Sequence, residues 1–280
     1  MDTVAAGMKL EDEMEVVGRH ADGKLLAGRI GHVGVVLFNQ PEKRNAMSLD
    51  MWDGVHDALG AFAEDAQVRV VVYAGTGGKA FMAGSDISQF AARRSNADAD
   101  AEFQRQTARA KERVAQFPKP SIACIQGFCI GVGMVVAMSA DLRVAAPDAH
   151  LGITAARMGI HFGLEPTERL VALVGPARAR LVLYTARRFG AQEALSMGLV
   201  DVVAAQDVVR ETLELARTIA DNAPLSVQAS KFTIAQVLKQ PEARDLVALE
   251  QYTRRCMDSA DYREGRTAFM EKRKPAFIGA

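Results

Sequence analysis

The chain has 280 residues, of which 49% are hydrophobic and 24% are charged, as is typical of a soluble globular protein that buries a large core. Lys and Arg together number 34, and so do Asp and Glu, so no overall positive charge attracts nucleic acid or an anionic membrane. We therefore expect neither partner. The length predicts one large domain, or one domain with an appendage.

The cysteines and the N-terminus indicate a cytoplasmic protein. Cys124, Cys129 and Cys256 are odd in number and form no CxxC or Cys/His pattern, which argues against a disulfide framework and against a metal site. The acidic N-terminus has neither a basic stretch nor a sustained apolar run, and no later apolar run reaches the length of about 20 residues that spans a membrane. We predict a loose N-terminal extension over residues 1–14.

The first predicted unit is a strand, a loop and a helix. The β-branched and aromatic run VGVVLF (residues 33–38) predicts a buried strand, and the polar cluster NQPEKRN after it predicts a loop. Behind Ser48 as a helix N-cap, apolar residues recur at spacings of three and four, as on one face of a helix. VRVVVYAG (residues 68–75) predicts the second strand.

The same order of elements recurs after residue 75. The loop TGGKAFMAGSD leads into a predicted helical tract from Ile87, and a long helix is predicted from about Asp100 to Phe117. PSIACIQG and LRVAAP predict two further strands, and GFCIGVG (residues 127–133) opens a helix between them. Strands that alternate with helices predict an α/β fold with mostly parallel strands, whose functional loops lie at the carboxyl ends of those strands.

Strand signals end after LVDVVAA, and helical spacing continues to the C-terminus. Pro224, Pro241 and Ser259 each mark the start of a further predicted helix. We therefore divide the chain into an extension, a core and a helical C-terminal region, which are residues 1–14, 15–205 and 206–280.

Two loops hold the small residues that bring a backbone close to a ligand. KAFMAGSDI (residues 79–87) and GFCIGVG each lead into a predicted helix start, where backbone N–H groups lack partners and the helix dipole favours negative charge. Two such donors aimed at one point would stabilise the oxyanion of a thioester enolate. Glycines that only permit positive φ or close packing are the structural alternative. Neither loop matches the GxGxxG or GK[ST] patterns of nucleotide sites.

Five segments, in order, resemble the enoyl-CoA hydratase/isomerase (crotonase) family: NQPEKRNAMS, GTGGKAFMAGSDIS, PKPSIACIQGFCIGVGMVVAMSADLRVA, GLVDVV and REGRTAFMEKRKPAFIG. The resemblance covers the chain from about residue 28 to its end. It implies a crotonase-like α/β spiral of ββα units, with a helical C-terminal region that forms homotrimers and often a dimer of trimers. It also implies an acyl-CoA substrate, with coenzyme A as part of the substrate and no permanently bound cofactor.

Residue by residue, the resemblance assigns the two backbone donors of an oxyanion hole to Ser85 in AGSDI and to Val132 in GVG. Because each donor is a main-chain N–H group, it is present whatever the side chain at that position. The resemblance also implies coenzyme A binding by residues beside these loops, and by two C-terminal residues that reach a neighbouring subunit's coenzyme A. They are Lys43, Arg44, Ala46, Ala83, Asp86 and Ile87, and then Phe269 and Lys272. Solvation at the surface is the alternative for the charged ones.

The sequence departs from the family at the two glutamates of its hydratases. Those glutamates hold a water molecule and pass its proton to the α-carbon, which takes two acid/base groups. The first glutamate position falls on Val135 and the second on Ala155, so both are apolar here. Since each positioned acid/base group contributes about 10²–10⁴ in rate, we expect ordinary hydratase activity to be severely weakened or absent.

Glu165 and His161, in HFGLEPTERL, are the candidate replacements for the missing acid/base groups. A solvated glutamate that compensates the helix dipole, and a hydrogen-bonded structural histidine, are the alternatives. Three functions stay open. They are an acyl-CoA enzyme of nonstandard proton chemistry, such as a decarboxylase; a non-catalytic acyl-CoA-binding protein; and a serine hydrolase, for which the GxSxG motif is missing.

Overall fold

A computed structural model describes residues 7–86 and 97–280, and in this part of the chain the strands form two sheets. The strands are β1 (Glu15–His20), β2 (Leu25–Ile30), β3 (Val33–Phe38), β4 (Val70–Gly75), β5 (Ala80–Met82), β6 (Ser121–Ile125), β7 (Phe128–Ile130), β8 (Leu142–Ala145), β9 (His150–Gly152), β10 (Arg188–Gly190) and β11 (Val202–Val203).

Ten helices alternate with these strands or follow them in the C-terminal part of the described chain. They are α1 (Leu10–Glu13), α2 (Leu49–Glu64), α3 (Ala97–Ala115), α4 (Val132–Ser139), α5 (Leu164–Thr185), α6 (Ala191–Met197), α7 (Val208–Ala220), α8 (Pro224–Val237), α9 (Leu246–Asp258) and α10 (Ala260–Glu271).

The larger sheet has the order β1-β2-β3-β4-β6-β8-β11. The pairs β1–β2 and β2–β3 are antiparallel, and every later pair is parallel. All six residues of β3 and of β4 are buried, because helices cover both faces of a parallel sheet. The predicted α/β class with mostly parallel strands is confirmed.

The smaller sheet has the order β10-β9-β7-β5 and consists of strands of three residues each. Strands β5, β7 and β9 run parallel, and β10 pairs antiparallel with β9. Strands β5 and β7 belong to the two small-residue loops that the sequence singles out. Their pairing therefore brings these loops side by side.

Most predicted elements are confirmed, with shifted ends. The long helix begins at Ala97 rather than near Asp100, and the strand predicted from residue 68 begins at Val70. Pro241 starts only a short 3-10 turn, and helix α9 begins at Leu246, where the Asp245 carboxylate accepts a hydrogen bond from the Ala248 N–H group. The helical tract predicted from Ile87 to residue 96 lies outside the described residues.

The prediction of a loose N-terminal extension is wrong for residues 8–14. Leu10 and Met14 are 3% and 7% exposed and pack in the apolar cluster that includes β3 and β4. The Met8 N–H group donates to the Asp207 carboxylate at 2.8 Å, and this carboxylate also caps helix α7. Two apolar side chains and one hydrogen bond thus hold this acidic segment against the core.

The C-terminal helices divide into one core helix and three surface helices. Helix α7 packs on β4 and β6 with one apolar face buried, whereas α8, α9 and α10 leave large apolar side chains exposed. These are Ile234, Val237, Leu238, Leu246, Val247, Met257, Tyr262, Phe269 and Met270. Over residues 7–86 and 97–280, no helix combines the length and the apolar composition needed to cross a bilayer.

Candidate active site

The two small-residue loops touch each other at their glycines. A Cβ atom added to Gly131 would lie 3.8 Å from the Gly84 Cα atom, and one added to Gly84 would lie 3.7 Å from the Ile130 carbonyl oxygen. The Gly131 N–H group donates to the Gly152 carbonyl at 2.9 Å, which fixes the second loop to strand β9. The loops therefore meet through main-chain atoms.

Two further glycines permit this approach. Gly127 has a φ of +55°, and a Cβ atom there would lie 2.1 Å from the Lys79 carbonyl oxygen. Gly133, in the first turn of α4, has the Met82 carbonyl oxygen 2.5 Å from the position of an added Cβ atom. Neither contact leaves room for a side chain, so the glycines of GFCIGVG let α4 start directly against β5.

The N–H groups of Ser85 and Val132 have no hydrogen-bond acceptor within residues 7–86 and 97–280, although their neighbours do. The Asp86 N–H group donates to the Met47 carbonyl and the Gly131 N–H group to the Gly152 carbonyl. Val132 is the first residue of α4, where an N–H group lacks a partner within the helix. Ser85 and Val132 both border one cavity, so two donors lie at its wall.

This cavity has a volume of about 1070 Å³ and lies between the loops and helices α2 to α5. Val135 and Ala155, which occupy the glutamate positions of the resemblance, both border it and are half-buried. Their side chains present only hydrocarbon to the cavity. Met134, Val136 and Met138 on the same helix are buried in the core instead of bordering the cavity.

Glu165 and His161 border the same cavity, so the structure brings both candidate acid/base residues to it. The Glu165 side chain is 57% exposed at the start of α5, and its Oε1 atom lies 3.1 Å from Nη2 of Arg169 one helical turn later. His161 is exposed in the loop before this helix.

The residues assigned to coenzyme A near the first loop form a connected group. The Lys43 ammonium lies 2.9 Å from a carboxylate oxygen of Asp86, whose side chain is 7% exposed. The Arg44 guanidinium lies 5.4 Å from the centre of the Phe128 ring, and the Arg44 carbonyl accepts from the Ala83 N–H group.

Four other assigned residues have different surroundings. The Ala46 carbonyl accepts a hydrogen bond from the Gln40 amide at 3.0 Å. Ile87 lies outside the described residues. Phe269 and Lys272 lie at the end of α10, where Phe269 is 82% exposed, and within one chain they do not border the cavity.

Sequence patterns did not identify the residues that α3 contributes to the cavity. Gln104, Ala108 and Lys111 border it at the helical spacing i, i+4, i+7, together with Phe103. This spacing on a polar helix is the signal that could have found them. Arg169 of α5 is a further charged residue at the cavity that the sequence did not single out.

Two of the three cysteines are placed as small buried side chains rather than as reactive groups. Cys124 and Cys129 are 1% and 0% exposed, and burial raises the pKa of both thiols, that of Cys124 to about 12. In the described part of the chain, no three His, Cys, Asp or Glu side chains are grouped so as to hold a metal ion.

Comparison with known sequences gives one consistent family. Residues 29–280 match the family model described as enoyl-CoA hydratase/isomerase. The short-chain-enoyl-CoA hydratase of Clostridium acetobutylicum is 34% identical over 245 residues, which are 87% of this chain and 93% of that protein. The crotonyl-CoA hydratase of Syntrophomonas wolfei is 34% identical over 247 residues, 88% of this chain and 94% of that protein.

Solved structures agree with the sequence comparison. An enoyl-CoA hydratase/carnithine racemase from Magnetospirillum magneticum superposes with a TM-score of 0.88 at 30% identity, covering 95% of this chain and 99% of that one. The enoyl-CoA hydratase of Bacillus anthracis gives a TM-score of 0.82 at 32% identity, covering 92% of this chain and all of that one. The chain therefore belongs to the enoyl-CoA hydratase/isomerase family and has the crotonase fold.

Proposed function

We propose that the chain binds acyl-CoA thioesters and holds the thioester oxygen between the N–H groups of Ser85 and Val132. The observation that carries this proposal is the pair of unsatisfied main-chain donors on two touching loops at one cavity. An acyl-CoA substrate is what the names of the related hydratases imply.

The chemistry that such donors support is stabilisation of negative charge on the thioester oxygen. Charge of this kind develops when an enolate forms at the α-carbon or when a nucleophile adds to the carbonyl carbon. Removing one donor from an oxyanion hole lowers the rate by about 10²–10³. The same site therefore suits several reactions, and the groups that move protons decide between them.

Ordinary hydration of an enoyl-CoA is not the reaction that the cavity favours. The two apolar side chains, Val135 and Ala155, can neither activate a water molecule nor deliver its proton. We expect crotonyl-CoA hydration at least about a hundredfold below that of an ordinary hydratase. A normal rate of crotonyl-CoA loss in an absorbance assay would contradict this expectation.

Glu165 or His161 would supply the proton transfer if the chain is catalytic. Both border the cavity, and the Glu165 carboxylate lies 3.1 Å from the Arg169 guanidinium. Loss of carbon dioxide from a malonyl-type thioester is a reaction that fits these residues, because enolate stabilisation carries much of it without a strong base.

Acyl-CoA binding without turnover is the second candidate function. The observation in its favour is that Val135 and Ala155, to which the resemblance assigns the glutamate positions, offer only hydrocarbon to the cavity, which the Ser85 and Val132 N–H groups also border. Hydrolysis at the same donors is a weaker third candidate, because it needs a nucleophile with a neighbouring base.

Coenzyme A would lie beside the first loop in this proposal, against Lys43, Arg44, Ala46, Ala83, Asp86 and Ile87. Phe269 and Lys272 would reach the coenzyme A of a neighbouring subunit in a homotrimer or a dimer of trimers. The exposed apolar side chains of α8 to α10 support such an assembly. Sedimentation of a single species at the mass of one chain would contradict it.

Val132→Pro is the sharpest test of the donor. Proline removes the N–H group, yet it is well tolerated at the first position of a helix, which Val132 occupies. Val132→Ala keeps the N–H group and removes the side chain, so it is the matched control. We expect Val132→Pro to lower butyryl-CoA affinity, measured by calorimetry, and any thioester turnover, while Val132→Ala retains both. Equal behaviour of the two variants would refute the oxyanion hole.

A further inference from the structure

The smaller sheet has one buried face and one open face. The central residues of β7, β9 and β10 are each 0% exposed, namely Cys129, Leu151 and Phe189. Because side chains alternate along a strand, the residues next to these lie on the opposite, open face. There Phe128 pairs with His150 of β9, and Arg188 of β10 lies two residues from Gly190, the β10 partner of His150.

This open face continues into the cavity of the proposed active site. Ile130 follows Phe128 by two residues on β7, so the two side chains lie on the same face. Ile130 borders the cavity. At a rise of about 3.3 Å per residue, Phe128 lies only about 7 Å farther along the strand. A ligand that fills the cavity can therefore reach Phe128 with a distant part.

The Phe128 ring carries two guanidinium groups. Cζ of Arg188 lies 5.0 Å from the centre of the ring and Cζ of Arg44 lies 5.4 Å from it, both within the range of cation–π attraction. The two positive charges are thus at most 10.4 Å apart, the sum of these distances. Both arginines are exposed, so their ends can converge on a group in solution.

Neither guanidinium has a counter-ion in the part of the chain that the structure describes. Over residues 7–86 and 97–280, neither lies within 4 Å of a carboxylate oxygen or donates a hydrogen bond. Nearby cations differ in this respect, since Arg187 pairs with Glu193 and Lys43 with Asp86. Two like charges on one ring repel each other, so an anion bound between them would be stabilised.

A phosphate monoester is the anion that fits this pair best. Such a group carries a charge of about −1.5 to −2 at neutral pH, which matches two unpaired guanidinium groups. Its oxygens also suit the planar fork of arginine, which binds phosphate in a bidentate manner. In coenzyme A the monoester is the 3′-phosphate of the adenosine, whereas each phosphorus of the pyrophosphate carries a single charge.

We infer that Arg44 and Arg188 bind the 3′-phosphate of coenzyme A beside the Phe128 ring, and that the chain thereby distinguishes coenzyme A from dephospho-coenzyme A. This inference rests on the proposed binding of acyl-CoA. The resemblance assigns Arg44 to coenzyme A but assigns neither Phe128 nor Arg188. The inference adds a site of specificity at the end of the substrate that is distant from the thioester.

The test compares butyryl-CoA with butyryl-dephospho-CoA, which differ only in the 3′-phosphate. Both are titrated by calorimetry at about pH 7.5, where the monoester is mainly a dianion. The titrated proteins are the unmodified chain and Arg188→Met, which keeps a long apolar side chain for Phe128 and removes the charge. Arg188→Lys keeps the charge without the fork. Arg217→Met, at an exposed position of α7, is the matched control, and melting temperatures show whether each variant folds.

We expect the unmodified chain to bind butyryl-CoA at least about tenfold more tightly than butyryl-dephospho-CoA, the factor of one charge-assisted hydrogen bond. Arg188→Met removes most of this preference by weakening butyryl-CoA alone. Arg188→Lys retains part of it, and Arg217→Met retains all of it. Equal affinity of the unmodified chain for the two thioesters would overturn the inference.

Three other results separate the inference from the proposed function. If Arg188→Met weakens both thioesters equally, Arg188 does not recognise the 3′-phosphate, and the inference is wrong although acyl-CoA binding stands. If Arg188→Met keeps the full preference, another group binds the phosphate and the inference is again wrong. If neither thioester binds to the unmodified chain, the proposed function fails and the inference falls with it.

Discussion

Gly133 and Met82 are in direct main-chain contact, since a Cβ atom on Gly133 would lie only 2.5 Å from the Met82 carbonyl oxygen. This contact sets the start of helix α4 against the end of strand β5. The same contact therefore positions the N–H group of Val132, which lies one residue earlier. The proposed oxyanion hole thus depends on a position at which no side chain fits.

Gly133→Ala is therefore expected to damage both stability and binding. The added methyl group forces the helix start away from β5, which costs about 1–3 kcal/mol in the free energy of unfolding. The shifted Val132 N–H group lowers butyryl-CoA affinity as well. Urea unfolding and calorimetry measure the two effects.

Gly60→Ala is the control for Gly133→Ala. Gly60 lies within helix α2, and an added Cβ atom there meets nothing within 4 Å. Alanine at such a site stabilises a helix by about 0.5–1 kcal/mol. If Gly133→Ala also proves neutral or stabilising, the contact with Met82 does not position α4.

Restoring the two carboxylates should restore hydration. Val135 and Ala155 both border the cavity, so glutamates at these positions reach the same space. We expect Val135→Glu combined with Ala155→Glu to raise crotonyl-CoA hydration at least about a hundredfold above the unmodified chain. The loss of crotonyl-CoA absorbance measures the rate.

The double variant with glutamine at both positions separates acid/base chemistry from shape. Glutamine has the size of glutamate but neither accepts nor delivers a proton at neutral pH. A gain that appears equally in the glutamine variant would show that polarity or volume, rather than proton transfer, limits the unmodified chain.

Thiol reactivity provides a test that needs no substrate. Cys124 and Cys129 are buried and their thiol pKa values are raised, whereas Cys256 is partly exposed. At about pH 8, iodoacetamide should therefore modify only Cys256 in the folded chain, because the thiolate is the nucleophile. Mass spectrometry of the folded and urea-unfolded chains measures the sites. Rapid labelling of Cys129 in the folded chain would contradict its placement.

The main helices and strands could be predicted from the sequence because their hydrophobic patterns extend over many residues. β3 and β4 are unbroken apolar runs, and α2 keeps one apolar face over its whole length. Strands of three residues such as β7 show no usable period, so the smaller sheet was not predicted. The packing of Leu10 depends on apolar partners far along the chain, which an acidic local sequence does not reveal.

Those residues of the candidate site that belong to a single loop could be predicted from the sequence. The family resemblance assigns roles to Val132 and Val135 through the motif of a single loop. Lys111 reaches the cavity only because α3 packs beside α4, and this packing is a tertiary relationship that local spacing does not contain. The sequence therefore indicated the two loops at the cavity but not the residues that α3 contributes to it.

Asp207 joins the N-terminal segment to helix α7, and its replacement should destabilise the fold. Its carboxylate accepts hydrogen bonds from the N–H groups of Met8, Val209 and Arg210. Loss of a helix N-cap costs about 0.5–2 kcal/mol. We expect Asp207→Ala to lower the free energy of unfolding in urea by about this amount, and Asp57→Ala, at an exposed position of α2, to leave it nearly unchanged.

The pH dependence of this effect has a definite sign. Burial raises the pKa of Asp207, but the three N–H donors and the Arg210 charge outweigh it, so the pKa lies below its ordinary value of 3.8. A lowered carboxyl pKa stabilises the folded state above the unfolded pKa, and this contribution is lost as pH falls through the folded pKa. The stability difference between the unmodified chain and Asp207→Ala should therefore shrink below about pH 4, over the range in which the chain still folds. A difference that stays constant or grows on acidification would show that the Asp207 charge does not stabilise the fold.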